Sequence, residues 1–494
     1  MICIPRNDND SELILGLIAT VGTETGEVIK DIKAQLAFFH YDVEEIIVSE
    51  KIISQFETGA SAEWPSEYDR VSYYMDMGNK IRQDTNDNSI LMKGVARHIY
   101  LKREKDANNH PQPRKRTAYI VKSLKHPDEV DFMRDTYGDG FHLIGVTSSN
   151  ERRISYLTDR KGLSEEQAKS LLARDADEDL KQGQHTRDAF QHADYFVNIT
   201  EDVDLTYNSV SRLIDLLFGD PFISPSFDEY AMFMAYASSL RSADLSRQIG
   251  AVIANNNEIL SMGANDCPKS GGGLYWPVLN KNGKYEDEPG GRDYMCGCDS
   301  NKIEQQKIID SLFTTFSIET TEENISRVKN TGIGDLTEYG RVVHGEMEAL
   351  LSCARNNISC RGAALYATTF PCHNCAKHII AAGIMRVVYI EPYPKSKAFQ
   401  FYPAEISDKK SDGAKVIFEP FTGVGPQRFI DLFAVTSTRW YAKKRKDKHG
   451  RKLDWRREEA ELRNPISLLN YLDAEQSALI AFEDETVALK EGKL

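Results

Sequence analysis

The chain predicts an α/β fold in two units, a parallel sheet followed by an α/β/α layer structure. Three observations carry this. Short apolar runs alternate with amphipathic stretches through the first half, and strands alternating with helices imply a mostly parallel sheet. The turn-forming break Asp220-Pro221-Phe222-Ile223-Ser224-Pro225-Ser226 ends that alternation. The chain has 494 residues, which at roughly 150 residues per domain is too long for one domain. The predicted units are 1–223 and 224–494.

In order, residues 12–20 (ELILGLIAT) read as a buried strand entering the turn Val21-Gly22-Thr23. Residues 26–39 have helical spacing through Val28, Ile29, Ile32, Leu36 and Phe39. Later strands fall at 117–121, 141–147 and 195–199. Past the break, 227–240 is helical, 251–254 and 259–263 form a strand pair, and 267–340 is a long polar insertion. A helix from His344, a strand at 363–367, a helix from Cys372 and a strand at 387–390 complete the second unit. A charged extension at 440–463 contains Lys443-Lys444-Arg445-Lys446, and no internal repeat is evident.

Composition narrows the class. Hydrophobic residues make up 41% and charged residues 28%, the balance of a soluble protein. A net charge of -14 argues against a molecule that binds nucleic acid with its whole surface. No apolar run reaches the length of a membrane span and no signal-peptide pattern follows Met1, so a cytoplasmic protein is expected. Eight cysteines are too few for a disulfide scaffold, and several sit at metal-ligand spacings.

The chemistry centres on His344-Gly345-Glu346 and Pro371-Cys372-His373-Asn374-Cys375. Zinc favours tetrahedral nitrogen and sulfur ligands, and a catalytic site keeps one position for water. His344, Cys372 and Cys375 supply three ligands, with the cysteines one turn apart at a helix start that favours thiolates. Zinc lowers the pKa of its water to about 7. Glu346 is placed to take that proton and return it to the ring nitrogen and the leaving amine. The arrangement H-x-E…P-C-x-x-C is the signature of zinc deaminases. A structural zinc knot or a redox C-x-x-C pair explains the cysteines alone, but not the H-x-E or the proline.

Arg241-Ser242-Ala243-Asp244, Gln248 to Ile253 and Gly263-Ala264-Asn265-Asp266-Cys267-Pro268 resemble the deoxycytidylate deaminase family over roughly residues 227–425. That resemblance implies a hydrolase acting on the C–N bond of a cyclic amidine, with free deoxycytidine nucleotides as substrates. It implies a sugar contact for Asn265 and a phosphate contact for Arg241. The competing reading of Asn265 is a turn residue before Pro268, the lesser of the two, and Arg241 is as readily a solvated helix face. Tyr393 falls where the family places an aromatic near base or phosphate, or else packs at a strand end. Gly345 replaces the usual alanine, leaving more room beside the zinc, and Glu348 replaces a common asparagine. Cys267, Cys296 and Cys298 suggest a second, structural zinc, the alternative being free thiols in a glycine-rich loop.

Residues 16–26 (GLIATVGTETG) sit where a P-loop belongs but lack its Lys-Ser/Thr pair. Backbone around Gly16, Gly22, Thr23 and Thr25 is the candidate phosphate cradle. With Arg152, Arg153, Arg160 and Arg174 following the 141–147 strand, the first unit resembles a degenerate P-loop nucleotide kinase suited to regulation. A kinase-like unit ahead of a cytidine-deaminase-like unit resembles the bacterial antiphage dCTP deaminases. That family implies deamination of dCTP and dCMP, depletion of dCTP during infection, control by a small inhibitory RNA, and assembly into homo-oligomers. The Lys443–Lys446 run suits such an RNA or is a solvated face. Two other readings remain, a deaminase of single-stranded nucleic acid and an inert nucleotide-binding regulator.

Overall fold

The structure is a computed structural model describing residues 11–56, 64–105, 112–176, 185–390, 396–436 and 443–466. In its first unit, strand β1 (Leu13–Ala19) is buried at every position, the pattern of a strand covered on both faces. It pairs in parallel with β3 (Thr117–Lys122) on one side and β4 (Phe141–Ser148) on the other. Parallel strands β2 (Asp42–Ile47) and β5 (Tyr195–Ile199) extend the sheet to the order β2-β3-β1-β4-β5. The helix Thr25–Phe38 buries Val28, Ile29, Ile32 and Leu36, the stripe its sequence predicts. These pack with Val210, Leu213 and Leu217 of the helix Val203–Leu217 in one core.

A sixth strand, Gly423–Val424, joins antiparallel to β5. The compact units are therefore Met1–Pro225 with Thr422–Leu494, and Ser226–Phe421. The charged extension expected with the second unit belongs to the first. Its contacts explain why composition misleads, since long basic side chains carry a buried stem and a polar head. Arg428 is buried, donating to Asp194 and to the Phe141 carbonyl. Arg457 reaches Gln35 at 3.0 Å and Asp215 at 2.6 Å. Lys443 is buried with its ammonium on the Leu432 carbonyl at 2.8 Å, and Arg445 donates to the Pro221 carbonyl. Two members of the basic run are thus structural rather than a face offered to RNA.

In the second unit, β6 (Gly250–Asn255) and β7 (Glu258–Ala264) form an antiparallel hairpin. Its turn is Asn256-Asn257, both at positive φ, as a two-residue hairpin loop requires. The insertion is not one loop. It contains the small hairpin β8 (Val278–Leu279) and β9 (Tyr285–Glu286) and the helices Ser300–Phe316 and Glu322–Lys329. Strands β10 (Ala364–Ala367), β11 (Arg386–Tyr389), β12 (Ile406–Ser407) and β13 (Val416–Pro420) complete a sheet ordered β12-β13-β11-β10-β6-β7. All its pairs but β6–β7 and β6–β10 are parallel. Both units are α/β, as the sequence predicts. No helix among the described residues is long and apolar enough to cross a membrane.

Candidate active site

Two helix starts bring the motif together. His344 is the N-cap of the helix Gly345–Arg355, and Cys372 is the N-cap of His373–Ala381, its sulfur accepting the Cys375 amide at 3.4 Å. The first helix lies hard against β7, because a Cβ on Gly263 would fall on the Gly345 carbonyl and the Ala349 amide. Gly345 is constrained in turn, since a Cβ there would stand 2.9 Å from the Ile249 carbonyl oxygen. The room that a missing alanine methyl was expected to leave is filled by backbone.

His344 Nδ1 stands 3.4 Å from Cys372 Sγ and 3.3 Å from Cys375 Sγ. The three ligand atoms lie within 4.8 Å of one another, the one such group among the described residues. A tetrahedral zinc with Zn–N of about 2.0 Å and Zn–S of about 2.3 Å sets an N···S edge of about 3.5 Å, so the donors fit the metal. A hydrogen bond from Cys375 and the His344 imidazole beside it pull Cys372 down to about 4 against its burial. The same contact with Cys372 lifts His344 to about 9.

Glu346 is 3% exposed, and its Oε2 has no hydrogen-bond partner. Burial raises its pKa while His344 opposes the rise. A buried carboxyl oxygen with nothing to bond is costly unless a ligand or water meets it. The cluster thus combines three metal donors with an acid whose free oxygen awaits a partner.

The remaining candidates divide. Asn265 is buried and bonds backbone, Oδ1 accepting from the Ile249 amide and Nδ2 donating to the Arg247 carbonyl, each at 2.7 Å. It ties the loop before β6 to the end of β7. Arg241 is not a solvated face, because its guanidinium lies 3.8 Å from the Trp276 ring centre and donates to the Tyr275 carbonyl. Glu348 is buried and paired with Arg355. Tyr393 lies outside the described residues.

Among the described residues Cys267, Cys296 and Cys298 form no group of metal donors, so no second cluster is found. The buried Cys267 thiol donates to Asp293, and burial with that carboxylate pushes it up to about 12. Arg341 then bridges Asp293 and Cys296 Sγ, each at 3.0 Å. A guanidinium already supplies the positive charge there.

In the first unit, Gly16 is no part of a loop. It lies inside β1, where a Cβ would meet the Phe141 ring at 2.8 Å. Gly22 has φ +83 and packs under Arg153, whose Nε donates to the Val21 carbonyl. Thr23 bonds Thr20 side chain to side chain at 2.7 Å, and Thr25 opens the helix. The Val21 amide donates to Asp175 at 2.7 Å. Asp175 also holds Lys125 at 2.7 Å and accepts from Thr186. Sequence reasoning missed Asp175, Trp276 and Arg341 because each meets Val21, Arg241 or Cys296 across more than thirty residues of chain.

Residues 225–391 match the model of the cytidine and deoxycytidylate deaminase zinc-binding region. The deoxycytidylate deaminase of Enterobacteria phage T4 is 30% identical over 166 residues, 33% of this chain and 77% of that protein. The chain belongs to the deoxycytidylate deaminase family. The deaminase unit carries that membership. A solved dCMP deaminase from cyanophage S-TIM5, in complex with dCMP and dUMP, matches 40% of this chain and 99% of its own at 19% identity and TM-score 0.23. A gluconokinase from Sinorhizobium meliloti 1021 matches 42% of this chain and 96% of its own at 9% identity and TM-score 0.24.

Proposed function

We propose that the deaminase unit hydrolyses the amino group from free deoxycytidine nucleotides, dCTP or dCMP, giving the deoxyuridine nucleotide and ammonia. The observation that carries this reading is the His344, Cys372 and Cys375 cluster beside the unpartnered Oε2 of buried Glu346. His344, Cys372 and Cys375 would hold zinc, which when bound supplies Lewis acidity that brings a water's pKa to about 7.

Glu346 is the proton carrier. Its buried carboxylate accepts a proton as water oxygen bonds to C4 of the base, and it passes that proton to the adjacent ring nitrogen. Glu346 then takes the proton of the new C4 hydroxyl and delivers it to the amine, so that the C4 carbonyl forms as the C4–N bond breaks and ammonia leaves. Burial of Glu346 favours its protonated form, as the donating half of this cycle needs. Asn265 fixes the loop facing this centre rather than carrying a proton.

The reading extends to depletion of the dCTP pool during phage infection. It is supported by the order of motifs along the chain, a glycine-turn sheet ahead of the zinc motif. Purified protein offered dCTP, dCMP and a cytosine-containing oligonucleotide, with ammonia and uracil products measured, is the test. Conversion of a free nucleotide supports the proposal, and conversion of the oligonucleotide alone overturns it. Cys372→Ala is expected to lose zinc along with turnover. Wild-type protein is expected to hold one zinc per chain, and two would reinstate a site at Cys267, Cys296 and Cys298. Cells carrying Glu346→Ala are expected to lose resistance to phage that the wild type confers.

A further inference from the structure

The first unit holds a cavity of about 600 Å³ between the turn after β1 and the helix Glu67–Thr85. Small-molecule sites run from roughly 300 to 1,000 Å³. Ala19, Ile47 and Lys122, at the carboxyl ends of β1, β2 and β3, line it. Open parallel sheets take ligands at that edge, where strand order reverses.

The cations around this space are unequally paired. Lys125 is held by Asp175 and the Ala19 carbonyl, and Arg82 by Glu129. Arg70 bonds Glu67 through two contacts at 2.7 and 2.8 Å, and Lys161 stands 3.6 Å from the same carboxylate. Lys122, paired through its backbone in β3, has no side-chain hydrogen bond or ion pair among the described residues. It is half-buried, and burial holds its ammonium below the usual lysine range. Lys161 and Arg70 add to that effect, against Glu45 and Glu50. Three positive heads therefore face one space with a single carboxylate at contact distance among them. An anion there would remove their mutual repulsion.

The turn itself is poorly suited to the anion. It has no lysine, its Val21 amide is taken by Asp175, and Glu24 and Glu27 line the cavity beside it. A long polyphosphate laid on the turn would meet those carboxylates, whereas one phosphate at the Lys122 side meets Glu50 and Glu67 set against the three cations Lys122, Lys161 and Arg70. Tyr74 and Tyr156 line the same cavity, with Arg70 over the first ring at 5.9 Å and Lys161 over the second at 5.7 Å. Such rings offer flat faces to a nucleobase.

We propose that this cavity binds a nucleoside monophosphate, its phosphate held by Lys122, Lys161 and Arg70 and its base against Tyr74 and Tyr156. The turn carries no lysine, and Lys30 and Lys125 line the cavity from the flanking elements, so the proposed role is binding rather than phosphoryl transfer.

Calorimetric titration of the full chain with AMP, GMP, UMP and dTMP, and separately with inorganic phosphate, tests this. At least one nucleotide is expected to bind once per chain, tenfold or more tightly than phosphate. Lys122→Ala should weaken it tenfold or more while melting like the wild type, because this side chain makes no hydrogen bond or ion pair among the described residues. Lys122→Arg should restore most of the affinity, and Tyr156→Ala should weaken the nucleotide but not phosphate. Glu346→Ala should leave the binding unchanged, which separates this site from the deaminase centre whatever that centre turns over. Absence of binding by all four, equal affinity for bare phosphate, or wild-type affinity in Lys122→Ala would overturn the proposal.

Discussion

Each unit gathers polar groups where a strand gives way to a helix, and the two finish the arrangement differently. After β1, the chain closes its own turn. The Val21 amide meets Asp175, which is 0% exposed and also binds Lys125 and Thr186. At the start of Gly345–Arg355, three metal donors converge and Glu346 keeps an oxygen unbonded in the interior. A turn satisfied from within has little left to offer a phosphate. A cluster left unsatisfied is stable only with something added. The degenerate turn and the intact deaminase motif are thus two outcomes of one rule, that buried polar groups find partners.

The largest effect that would break this comparison is catalytic. Glu346→Ala is expected to keep zinc, by metal analysis, and to lose roughly 100- to 10,000-fold in turnover, read as released ammonia. Turnover within a few-fold of wild type would show that the unbonded oxygen has no part in proton transfer.

The converse test lies in the first unit. Asp175→Ala strands the Lys125 ammonium, whose side chain is only 14% exposed. Breaking a buried pair from one side costs about 3–5 kcal/mol, readable as a lower urea midpoint. An unchanged midpoint would mean that Asp175 does not close the turn.

Gly263→Ala sharpens the comparison from the other side, because the added methyl must push the helix bearing His344 off β7. A cost of about 1–3 kcal/mol is expected, with zinc affinity falling as the donors shift. Full stability and unchanged zinc content would show that the helix moves freely.

The most gradual effect is a pH slope. His142 on β4 is fully buried, and burial together with Arg428 pushes its pKa down to about 3 from 6.5. Below pH 6.5 the unfolded chain binds a proton that the folded chain refuses until about pH 3. Stability is therefore lost as pH falls through this window, by up to about 1.4 kcal/mol per pH unit. Urea midpoints of wild type and His142→Gln across this range should diverge, with the variant flatter.

The sequence made the core strands readable because β1 is apolar and buried throughout, and β4 and β5 are mostly so, broken by His142, Thr147, Ser148 and Asn198. Strand β2 escaped notice because Asp42-Val43-Glu44-Glu45 carries charge on an edge. The helices of the insertion were hidden for a related reason, and Glu322–Lys329 buries none of its residues. At the centre, His344, Glu346, Cys372 and Cys375 were legible because metal chemistry fixes residue type and spacing together. The three insertion cysteines had the right type without the convergence. Arg341, more than forty residues beyond Cys296, takes the charge that a metal would have supplied.

The short strand Gly423–Val424 bears on how the molecule is made. Val424, Leu432 and Leu462 belong to the first unit's core, yet they are synthesised after the whole deaminase unit. Chains usually fold from the N-terminus as they leave the ribosome, at about 5–20 residues per second. Here the order of completion is reversed. The unit translated second has its entire sequence in hand while the unit translated first still waits for its last strand.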